Sequence, residues 1–424
     1  MSSKRLVNRQ VYLDRALMFR DTDLIKVVTG VRRCGKSSLL GLVRNKIESE
    51  DAKGRSFASL NLESRACPVE TETELYDYFR NKVSPEGKTY IFLDEPQRIK
   101  GWQSAVNAMR VDFDCDIYLT GSNAYLLSSE LSTYLSGRYV ETKMLPLSVS
   151  EYLDFCGLSF GDSSAAMGPD GQVVLFDDVL DRYLRFGGMP AIASLQTKQE
   201  EHAAYFSGLY DAVVTRDILN RERSFGRSKV TDDALLEKVV SFLGDSIGNK
   251  LSMKRIADTL TSAGAKTTSK TIDSYVRALN EAYLFYKADR FDLHGREILR
   301  TNPKEYIVDL GFRAYLGGYR SGDTGRLFEN AVYLQLLFKG WRVHVGKLYN
   351  KEIDFVAVKD GRTVYIQVTD EMFSDMTRER ELRPLRSVRD SYEKIVVVRQ
   401  GRYAEDIEGI RIVAARDFFL GSVI

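Results

Sequence analysis

Short apolar runs alternate with longer amphipathic stretches over the first 150 residues of the chain. The runs "LIKVVT", "TYIFLD" and "CDIYLTG" have the length and composition of buried strands, whereas "SSLLGLVRNKI" has the pattern of a helix. Strands that alternate with helices predict a parallel sheet with helices on both faces and a ligand site at its carboxyl edge. We therefore expect an α/β domain over residues 1–150.

The first of these runs leads directly into a glycine loop, "GVRRCGKSS", at residues 30–38. Gly30, Gly35, Lys36 and Ser37 match the template G-x-x-x-x-G-K-[ST], whose backbone N–H groups cradle phosphates at the start of a helix. In this template the lysine reaches the outer phosphates and the hydroxyl binds Mg²⁺. We expect the remaining loop residues to line the same ATP site: Arg32, Arg33, Cys34 and Ser38.

A nucleotide site of this kind needs a second, acidic element to hold the metal ion. The run "KTYIFLDEPQRI" supplies one, since its apolar strand ends in Asp94 and Glu95. Asp94 is expected to hold Mg²⁺ through the ion's hydration shell, and Glu95 to polarise the water that attacks the γ-phosphate. The alternative is a pair of solvated carboxylates at a strand end.

Polar residues follow the third apolar run, and an arginine precedes a fourth. A polar side chain here, Ser122 or Asn123, is predicted either to orient the attacking water or sense the γ-phosphate, or to cap a helix over "AYLLSSEL". Arg138 is predicted to stabilise transition-state charge, in its own site or in that of a neighbouring subunit. A surface or salt-bridging role for Arg138 is the alternative.

The middle of the chain divides into two predicted regions. Residues 151–230 contain a glycine-rich loop (157–172) and then helical patterns that suit a lid over the nucleotide, from which Arg216 and Asp217 either join the site or face solvent. Residues 231–305 have the lengths of a helix-turn-helix followed by a β-rich wing. The second helix would bring Lys266, Lys270 and Arg277 to DNA, although protein docking or a spacer role is equally compatible with this module. Residues 249–300 hold ten Lys and Arg against six Asp and Glu, a difference of +4.

Composition limits the classes of protein to which the chain can belong. Its 424 residues predict two to four domains, and 44% hydrophobic with 28% charged residues is ordinary for folded proteins. The net charge of +2 gives no overall attraction to nucleic acid, so any DNA contact needs a local patch. No secretion signal or long apolar run is evident, which predicts a cytoplasmic protein without a membrane anchor. The histidines and cysteines are scattered along the chain, which argues against a disulfide framework or a zinc site: His202, His294, His344, Cys34, Cys67, Cys115 and Cys156.

Several motifs in the same order resemble a prokaryotic group of AAA-type P-loop ATPases with an uncharacterised C-terminal region. They are "GVRRCGKSSLL", "IFLDEPQRIKGW", "LTGSNAYLLSSELSTYLSGRYVE" and "LPLSVSEYL", followed by "FGGMPA" and "YDAVVTRDIL". The resemblance covers most of the chain and implies ATP binding and Mg²⁺-dependent hydrolysis. It also implies that Arg9 and Tyr12 lie near the adenine. Such ATPases often assemble into rings, so a homo-oligomer is one expectation and a monomeric switch is the other.

The last region, residues 306–424, resembles the PD-(D/E)XK nuclease fold in its order of helix, three strands, helix and strand. In active members, carboxylates at the positions of Glu329 and Asp354 bind metal with a third residue, and a lysine polarises water. Here Gln367 stands at the third position and Thr369 replaces the lysine. We therefore expect a nuclease-like domain that does not cut. The spacing does not select among three lysines as substitutes: Lys347, Lys351 and Lys359.

These patterns together predict an α/β protein with an AAA+ P-loop domain, a helical lid, a winged helix and a C-terminal restriction-endonuclease-like domain. The expected activity is ATP hydrolysis with ATP and Mg²⁺ as cofactors, coupled to a module that contacts DNA or a protein partner. Two alternatives stay open: an ATP-regulated nuclease, and a nucleotide-gated DNA binder or scaffold that does not hydrolyse ATP. Glu95 argues against the last, because a pure binder needs no water-activating carboxylate.

Overall fold

The computed structural model describes residues 7–50, 55–124, 135–161, 163–194, 199–220, 230, 232–421 and 423–424. The chain folds into two compact units. The first contains the residues up to Met144 together with Glu281–Tyr283, and the second contains Leu145–Asn280 and Leu284–Ile424. Within the described residues, no helix is both long enough and apolar enough to span a bilayer.

The first unit is built on a five-stranded sheet in the order β2-β3-β4-β1-β5, in which every neighbouring pair is parallel. Its strands are β1 (Ile25–Thr29), β2 (Ser56–Asn61), β3 (Thr89–Asp94), β4 (Cys115–Gly121) and β5 (Tyr139–Lys143). All residues of β1 and β3 are buried, as continuous apolar runs in the interior of a parallel sheet require. The predicted parallel α/β domain is confirmed.

Four described helices connect or flank these strands: α1 (Gln10–Leu17), α2 (Lys36–Glu50), α3 (Glu72–Arg80) and α4 (Trp102–Asp112). Local sequence explains the start of α3, where the Thr71 hydroxyl accepts from the Glu74 N–H and the Glu74 carboxylate accepts from the Thr71 N–H. The apolar faces of α3 and α4 close the core against β1–β4, with Phe79 and Val106 fully buried. This packing fixes the sheet whose carboxyl edge carries the predicted site.

The second unit begins with helices and a small hairpin. The helices are α5 (Val149–Cys156), α6 (Phe176–Phe186), α7 (Pro190–Ser194), α8 (Gln199–Asp211), a π-helix (Ala212–Asn220), α9 (Asp233–Asp245), α10 (Met253–Ser262) and α11 (Ser269–Glu281), whose last residue belongs to the first unit. The glycine-rich stretch predicted as a loop contains β6 (Ala165–Met167), which pairs with β7 (Val173–Leu175). That prediction was therefore wrong in part, because the turn at 168–172 lets two short segments pair.

An eight-stranded mixed sheet dominates the rest of the second unit, in the order β14-β15-β13-β12-β11-β10-β8-β9. Its strands are β8 (Phe285–Asp292), β9 (Glu297–Ile307), β10 (Arg342–Leu348), β11 (Lys351–Lys359), β12 (Arg362–Met372), β13 (Glu393–Gly401), β14 (Asp406–Ile407) and β15 (Ile410–Ala414), and its helices are α12 (Leu310–Gly317), α13 (Thr324–Phe338), α14 (Asp375–Arg386) and α15 (Ala415–Leu420). The order α13, β10, β11, β12, α14, β13 is the one expected from sequence. The β8–β9 hairpin joins this sheet through a parallel pairing of β8 with β10.

The "FGGMPA" motif forms a close backbone contact in the second unit. Gly187 has φ +81°, and a Cβ there would lie 1.9 Å from Asp309 Oδ1. The Asp309 carboxylate accepts from the Gly188 N–H at 2.7 Å and from the Gly311 N–H at 2.8 Å, which also caps α12. Position 187 therefore has no room for a side chain beside this buried cap.

Candidate functional site

Three polar side chains meet at the carboxyl edge of the parallel sheet. The register pairs Asn61 with Asp94 and Asp94 with Thr120, so the ends of β2, β3 and β4 are aligned. Asn61 Nδ2 donates to Asp94 Oδ2 at 3.0 Å, and the Thr120 hydroxyl donates to Asp94 Oδ1. The same edge continues to β1, where Thr120 pairs with Val28 and Thr29 pairs with Gly121. Asp94 therefore lies two strands, or about 10 Å, from the strand that enters the glycine loop.

The glycine loop turns sharply between β1 and α2. Gly30 has φ +148°, and a Cβ there would lie 2.1 Å from the carbonyl oxygen of Met144. Arg33 and Gly35 also have positive φ values, +65° and +107°. Only glycine fits the close approach at position 30, and the positive φ values curl the backbone into the cradle that the template requires.

The Lys36 ammonium lies inside this loop. It donates to the carbonyl oxygens of Gly30 at 3.0 Å and Val31 at 3.2 Å, and the residue is only 5% exposed. Arg9, named from the resemblance, is also buried and donates to the Cys34 carbonyl oxygen at 3.0 Å, with its guanidinium 4.7 Å from the centre of the Tyr12 ring. The side chains of Lys36 and Arg9 therefore both donate hydrogen bonds to backbone carbonyl oxygens of the glycine loop.

The remaining loop side chains differ in accessibility. Ser37, Ser38 and Arg33 are exposed, whereas Cys34 is buried with its thiol 3.5 Å from the Met144 carbonyl oxygen. Arg32 donates to Glu63 Oε1 at 3.0 Å, and the same oxygen accepts from Arg98 at 2.8 Å. The exposed Ser37 hydroxyl at the start of α2 suits the role of an Mg²⁺ ligand.

Glu95 follows Asp94 in a left-handed backbone conformation with φ +58°. This conformation is uncommon for residues other than glycine and costs about 1–3 kcal/mol when the surroundings enforce it. The Glu95 N–H donates to the Thr120 hydroxyl at 3.2 Å, which holds the turn. Glu95 Oε2 accepts from the Ser122 hydroxyl at 3.1 Å and from the Gln97 amide. The carboxylate is therefore buried and positioned next to the end of β4.

The two other predicted catalytic residues have different surroundings. Asn123 is 6% exposed at the same edge of the sheet, and the helix predicted over residues 124–131 lies outside the described residues from residue 125 onward. Arg138 precedes β5, and its backbone carbonyl accepts from the Ile25 N–H at 2.9 Å, at the amino end of β1. Its side chain donates to Asn107 Oδ1 at 3.0 Å. Because β1 spans five residues, or about 16 Å, Arg138 lies at the opposite edge of the sheet from its own glycine loop.

The sequence did not reveal the contact between Thr29 and Glu141. The Thr29 hydroxyl, one residue before the loop, donates to Glu141 Oε1 at 2.5 Å, and the Tyr283 hydroxyl donates to the same oxygen at 3.1 Å. Tyr283 belongs to the three-residue segment of the first unit that comes from the far end of α11. No local pattern connects residues that are more than 100 positions apart.

In the second unit, the predicted DNA-facing residues share the exposed side of α11 and its preceding loop. Lys266, Lys270 and Arg277 are exposed, whereas Ile272 and Leu279 on the other side of the helix are buried. Arg277 donates to Asp273 Oδ2 at 2.7 Å, which offsets part of its charge. Of the two predicted lid residues, Asp217 is buried, and the side chain of Arg216 lies outside the described residues.

The two carboxylates named from the nuclease resemblance lie near each other around a lysine that the sequence did not indicate. The Lys304 ammonium is 3.0 Å from Glu329 Oε1 and 3.0 Å from Glu352 Oε1. Burial disfavours its charge, but the carboxylates of Glu329, Asp354 and Glu352 outweigh burial and raise the pKa of Lys304. Burial and the charge of Glu329 raise the pKa of Asp354 well above its ordinary value. Among the described residues, no group of three or more His, Cys, Asp or Glu is arranged to hold a metal ion.

Two of the three lysines named from sequence make hydrogen bonds elsewhere. Lys351 donates to the Ser387 hydroxyl, and Lys359 donates to the Lys339 carbonyl oxygen at 2.9 Å. Thr369 donates to the Glu371 carbonyl oxygen at 3.0 Å. Lys304 was missed because it precedes the predicted domain in sequence and enters through β9.

Comparison with known proteins gives two matching family models and two curated relatives. An AAA domain model matches residues 22–153, and a domain of unknown function (DUF8612) matches residues 177–323. An uncharacterised protein of Haemophilus influenzae is 38% identical over 422 residues, 99% of this chain and 100% of the relative. An uncharacterised protein of Methanocaldococcus jannaschii is 27% identical over 418 residues, 93% of this chain and 87% of the relative.

Solved structures give weaker matches. Cdc6p from Pyrobaculum aerophilum has 13% identity and a TM-score of 0.32, with 73% of this chain and 92% of that chain covered. The Aeropyrum pernix Orc1 protein in complex with DNA has 12% identity, a TM-score of 0.29 and the same coverage. Likenesses at this level carry no information about function. The full-length match establishes that the chain belongs to the same family as the Haemophilus influenzae protein, and the AAA domain model places an AAA-type domain at residues 22–153 of this chain.

Proposed function

We propose that the protein binds ATP with Mg²⁺ at the carboxyl edge of the five-stranded sheet and hydrolyses it. The observation that carries this proposal is the alignment of Asn61, Asp94 and Thr120 beside the glycine loop, with Glu95 buried at the same edge. An acidic strand end next to a phosphate-binding loop supplies both halves of a nucleotide site.

The residues present fit ATP and Mg²⁺ chemically. The curled backbone of residues 30–35 offers N–H groups to phosphate oxygens, and the Lys36 ammonium lies within the same loop. The exposed Ser37 hydroxyl and the Asp94 carboxylate are hard oxygen donors of the kind that Mg²⁺ prefers. Bound Mg²⁺ supplies charge neutralisation for the phosphates.

Glu95 is the residue to which we assign the activation of water. Its carboxylate is held by Ser122 and Gln97, and its backbone is fixed by Thr120. A general base that is held in this way loses little orientational freedom when it accepts a proton from water, and general bases contribute about 10²–10⁴ to rates. We assign Asn61 and Thr120 the positioning of Asp94.

The second part of the proposal is that nucleotide state affects a second unit that contacts DNA or a protein partner. The chain passes from α11 into the first unit at Glu281–Tyr283 and returns to the second unit at Leu284. Tyr283 and Thr29 share the carboxylate of Glu141, so the residue that precedes the glycine loop is linked to the end of α11. A change at the loop on ATP binding therefore has a covalent and hydrogen-bonded route to α11.

Element order supports a winged helix as the contacting module. Helices α9, α10 and α11 precede the β8–β9 hairpin, and Lys250 between α9 and α10 forms a β-bridge with Lys304 on β9. A third strand segment of this kind, before two helices and a hairpin, is typical of winged helices. The exposed side of α11 carries Lys270 and Arg277, which suits contact with phosphates.

Following phosphate release and strand cleavage in parallel tests the proposal. Purified protein is mixed with ATP and Mg²⁺, with and without single- or double-stranded DNA. We expect phosphate release and no cleavage of DNA. Cleavage that requires ATP would favour the nuclease alternative, and ATP binding without any phosphate release would favour the nucleotide-gated scaffold.

A further inference from the structure

A single buried ammonium lies among acidic side chains in the second unit. Lys304 reaches from β9 to Glu329 on α13 and Glu352 on β11, each 3.0 Å from its Nζ. The Lys304 side chain is 4% exposed, whereas those of Glu329 and Glu352 are 16% and 24% exposed. The Tyr306 hydroxyl also donates to Glu329 Oε1, at 2.7 Å. Lys304 is therefore held by carboxylates from two other elements.

Two further oxygen-bearing side chains lie on the same side of the sheet. Asp354 shares a face of β11 with Glu352, because side chains two residues apart on a strand point the same way. Its Oδ2 accepts from the Val368 N–H at 2.9 Å, which leaves Oδ1 for other contacts. The pairing of Phe355 with Ile366 brings Asp354 beside Gln367 on β12.

Gln367 has an unsatisfied acceptor. Its Nε2 donates to Glu381 Oε2 at 3.1 Å, but Oε1 has no hydrogen-bond partner among the described residues. Gln367 is 8% exposed, so this oxygen is hidden from bulk water as well. A buried carbonyl oxygen without a donor is costly and indicates a position where a donor or cation is favourable.

The donor set around Lys304 matches the chemistry of a hard divalent cation. Such ions take carboxylate and amide oxygens, here from Glu329, Glu352, Asp354 and Gln367. In this structure, however, the buried Lys304 ammonium already pairs with Glu329 and Glu352, and the exposed Lys250 ammonium lies 2.9 Å from the other oxygen of Glu352. A second cation beside Lys304 would meet like-charge repulsion in a buried site, where screening is weak.

We propose that Lys304 is a built-in cation that excludes a divalent metal ion from this cluster, and that removing its side chain opens a metal site. The wild-type second unit would then keep the acidic cluster for stability and not for metal chemistry. This inference goes beyond the ATPase function and does not depend on it.

An ion has a route to the cluster. A cleft of about 520 Å³ is lined by Gly248, Lys250, Ser252, Arg255 and Glu352, among others, so Glu352 faces solvent on one side. Gly248 has φ +71°, and a Cβ at this position would lie 3.3 Å from Glu329 Oε1. The glycine therefore keeps the cleft open next to Glu329.

The test is Mn²⁺ binding by Lys304→Ala in the full chain without nucleotide, with Lys287→Ala as the matched control. Lys287 belongs to the same sheet, but its ion pair with Asp289 is exposed. Titration followed by electron paramagnetic resonance counts bound Mn²⁺, and thermal unfolding with and without MnCl₂ at constant ionic strength measures the stabilisation. Any weak Mn²⁺ site at the glycine loop is shared by wild type and both variants, so it does not affect the comparison.

We expect Lys304→Ala to unfold at a lower temperature than wild type, because two carboxylates lose their buried partner. We also expect it to bind one additional Mn²⁺, at least about tenfold more tightly than wild type, and to regain several degrees of stability with the metal. A further change, Asp354→Asn, should remove the gain. Wild type and Lys287→Ala should show neither effect.

Two results would overturn the proposal. One is a wild-type protein that binds the additional Mn²⁺ ion as tightly as the variant does. The other is the absence of bound Mn²⁺ in Lys304→Ala. If Lys304→Ala does not fold without metal, Lys304→Gln is prepared as a second variant, and both variants are refolded in the presence of MnCl₂. Failure of both variants to bind Mn²⁺ would also contradict the proposal.

Discussion

Glu305 follows Lys304 on β9 but points to the other face of the strand, into the core. It is 2% exposed, and the side-chain amide of Asn280 donates to its carboxylate. Burial raises the pKa of Glu305 to about 8, although the Asn280 hydrogen bond acts in the opposite direction. Replacement by glutamine keeps the shape and the amide hydrogen bond but removes the charge.

The sign of the effect follows from the two pKa values. Below about pH 4 the carboxyl is mainly protonated in both the folded and the unfolded chain, so it does not change the free energy of unfolding with pH. Between an ordinary pKa of about 4.3 and the folded pKa of about 8, the unfolded chain ionises while the folded one keeps its proton. Stability therefore falls with rising pH over this window, by a total of about 5 kcal/mol.

Tryptophan fluorescence allows this loss to be measured for the second unit alone. The chain has two tryptophans, Trp102 in the first unit and Trp341 in the second, and Trp341 is 5% exposed. Urea unfolding is followed at pH 5 and pH 8.5 for two proteins. One is the Trp102→Phe parent, and the other carries Glu305→Gln in addition. We expect the parent to lose several kcal/mol more than the variant between these pH values. Burial also raises the pKa of Asp309, to about 7. Asp309 titrates in both proteins, so its contribution to the pH dependence of stability cancels in the comparison.

Glu297→Gln is the matched control, because Glu297 is an exposed residue on the same strand. Its pH dependence should follow that of the parent. Equal pH dependence in Glu305→Gln and its parent would refute the reasoning, because it would mean that Glu305 is ionised in the folded state at little cost.

Three further predictions concern nucleotide and DNA. Lys36→Ala should lower ATP affinity about 100-fold or more, measured with a fluorescent ATP analogue, because it removes two charge-assisted contacts of about 1.5–3 kcal/mol each; unchanged affinity would exclude Lys36 from the site. Arg138→Ala should hydrolyse ATP slowly and regain activity when mixed with Lys36→Ala, since Arg138 lies too far from its own loop; no recovery in a confirmed mixed oligomer would refute action on a neighbour. Replacing Lys266, Lys270 and Arg277 together with alanine should weaken any DNA binding and reduce its salt slope by up to about 3, whereas identical titrations for parent and variant would exclude this surface.

The P-loop and the acidic strand were predictable because each is a contiguous segment whose pattern reports its own structure. Gly30 and Lys36 stand at fixed spacing, and Asp94 directly follows a fully buried strand. Parallel pairing then brings strand ends to one edge, as expected. Asn61 was not predicted, since its position beside Asp94 depends on the order of β2 and β3 in the sheet and not on any motif.

The position of Lys304 could not be predicted from the sequence, because it depends on the order of distant strands. Lys304 lies 25 residues before Glu329 and 48 before Glu352 in the sequence, in the region 231–305 that was predicted to form a winged helix. The β8–β9 hairpin joins the sheet that carries β11, and only this pairing brings the three side chains together. The three lysines considered from the sequence all lie within residues 306–424: Lys347, Lys351 and Lys359. The order of strands in the sheet thus determines which lysine lies among the buried carboxylates.

The most direct test of the ATPase assignment is the comparison of Glu95→Gln with wild type at saturating ATP and Mg²⁺. The glutamine can retain the contacts with Ser122 and Gln97 but cannot accept a proton from water. We expect ATP affinity within about threefold of wild type and steady-state phosphate release slower by about 10²–10⁴. Hydrolysis by Glu95→Gln at the wild-type rate would contradict the account.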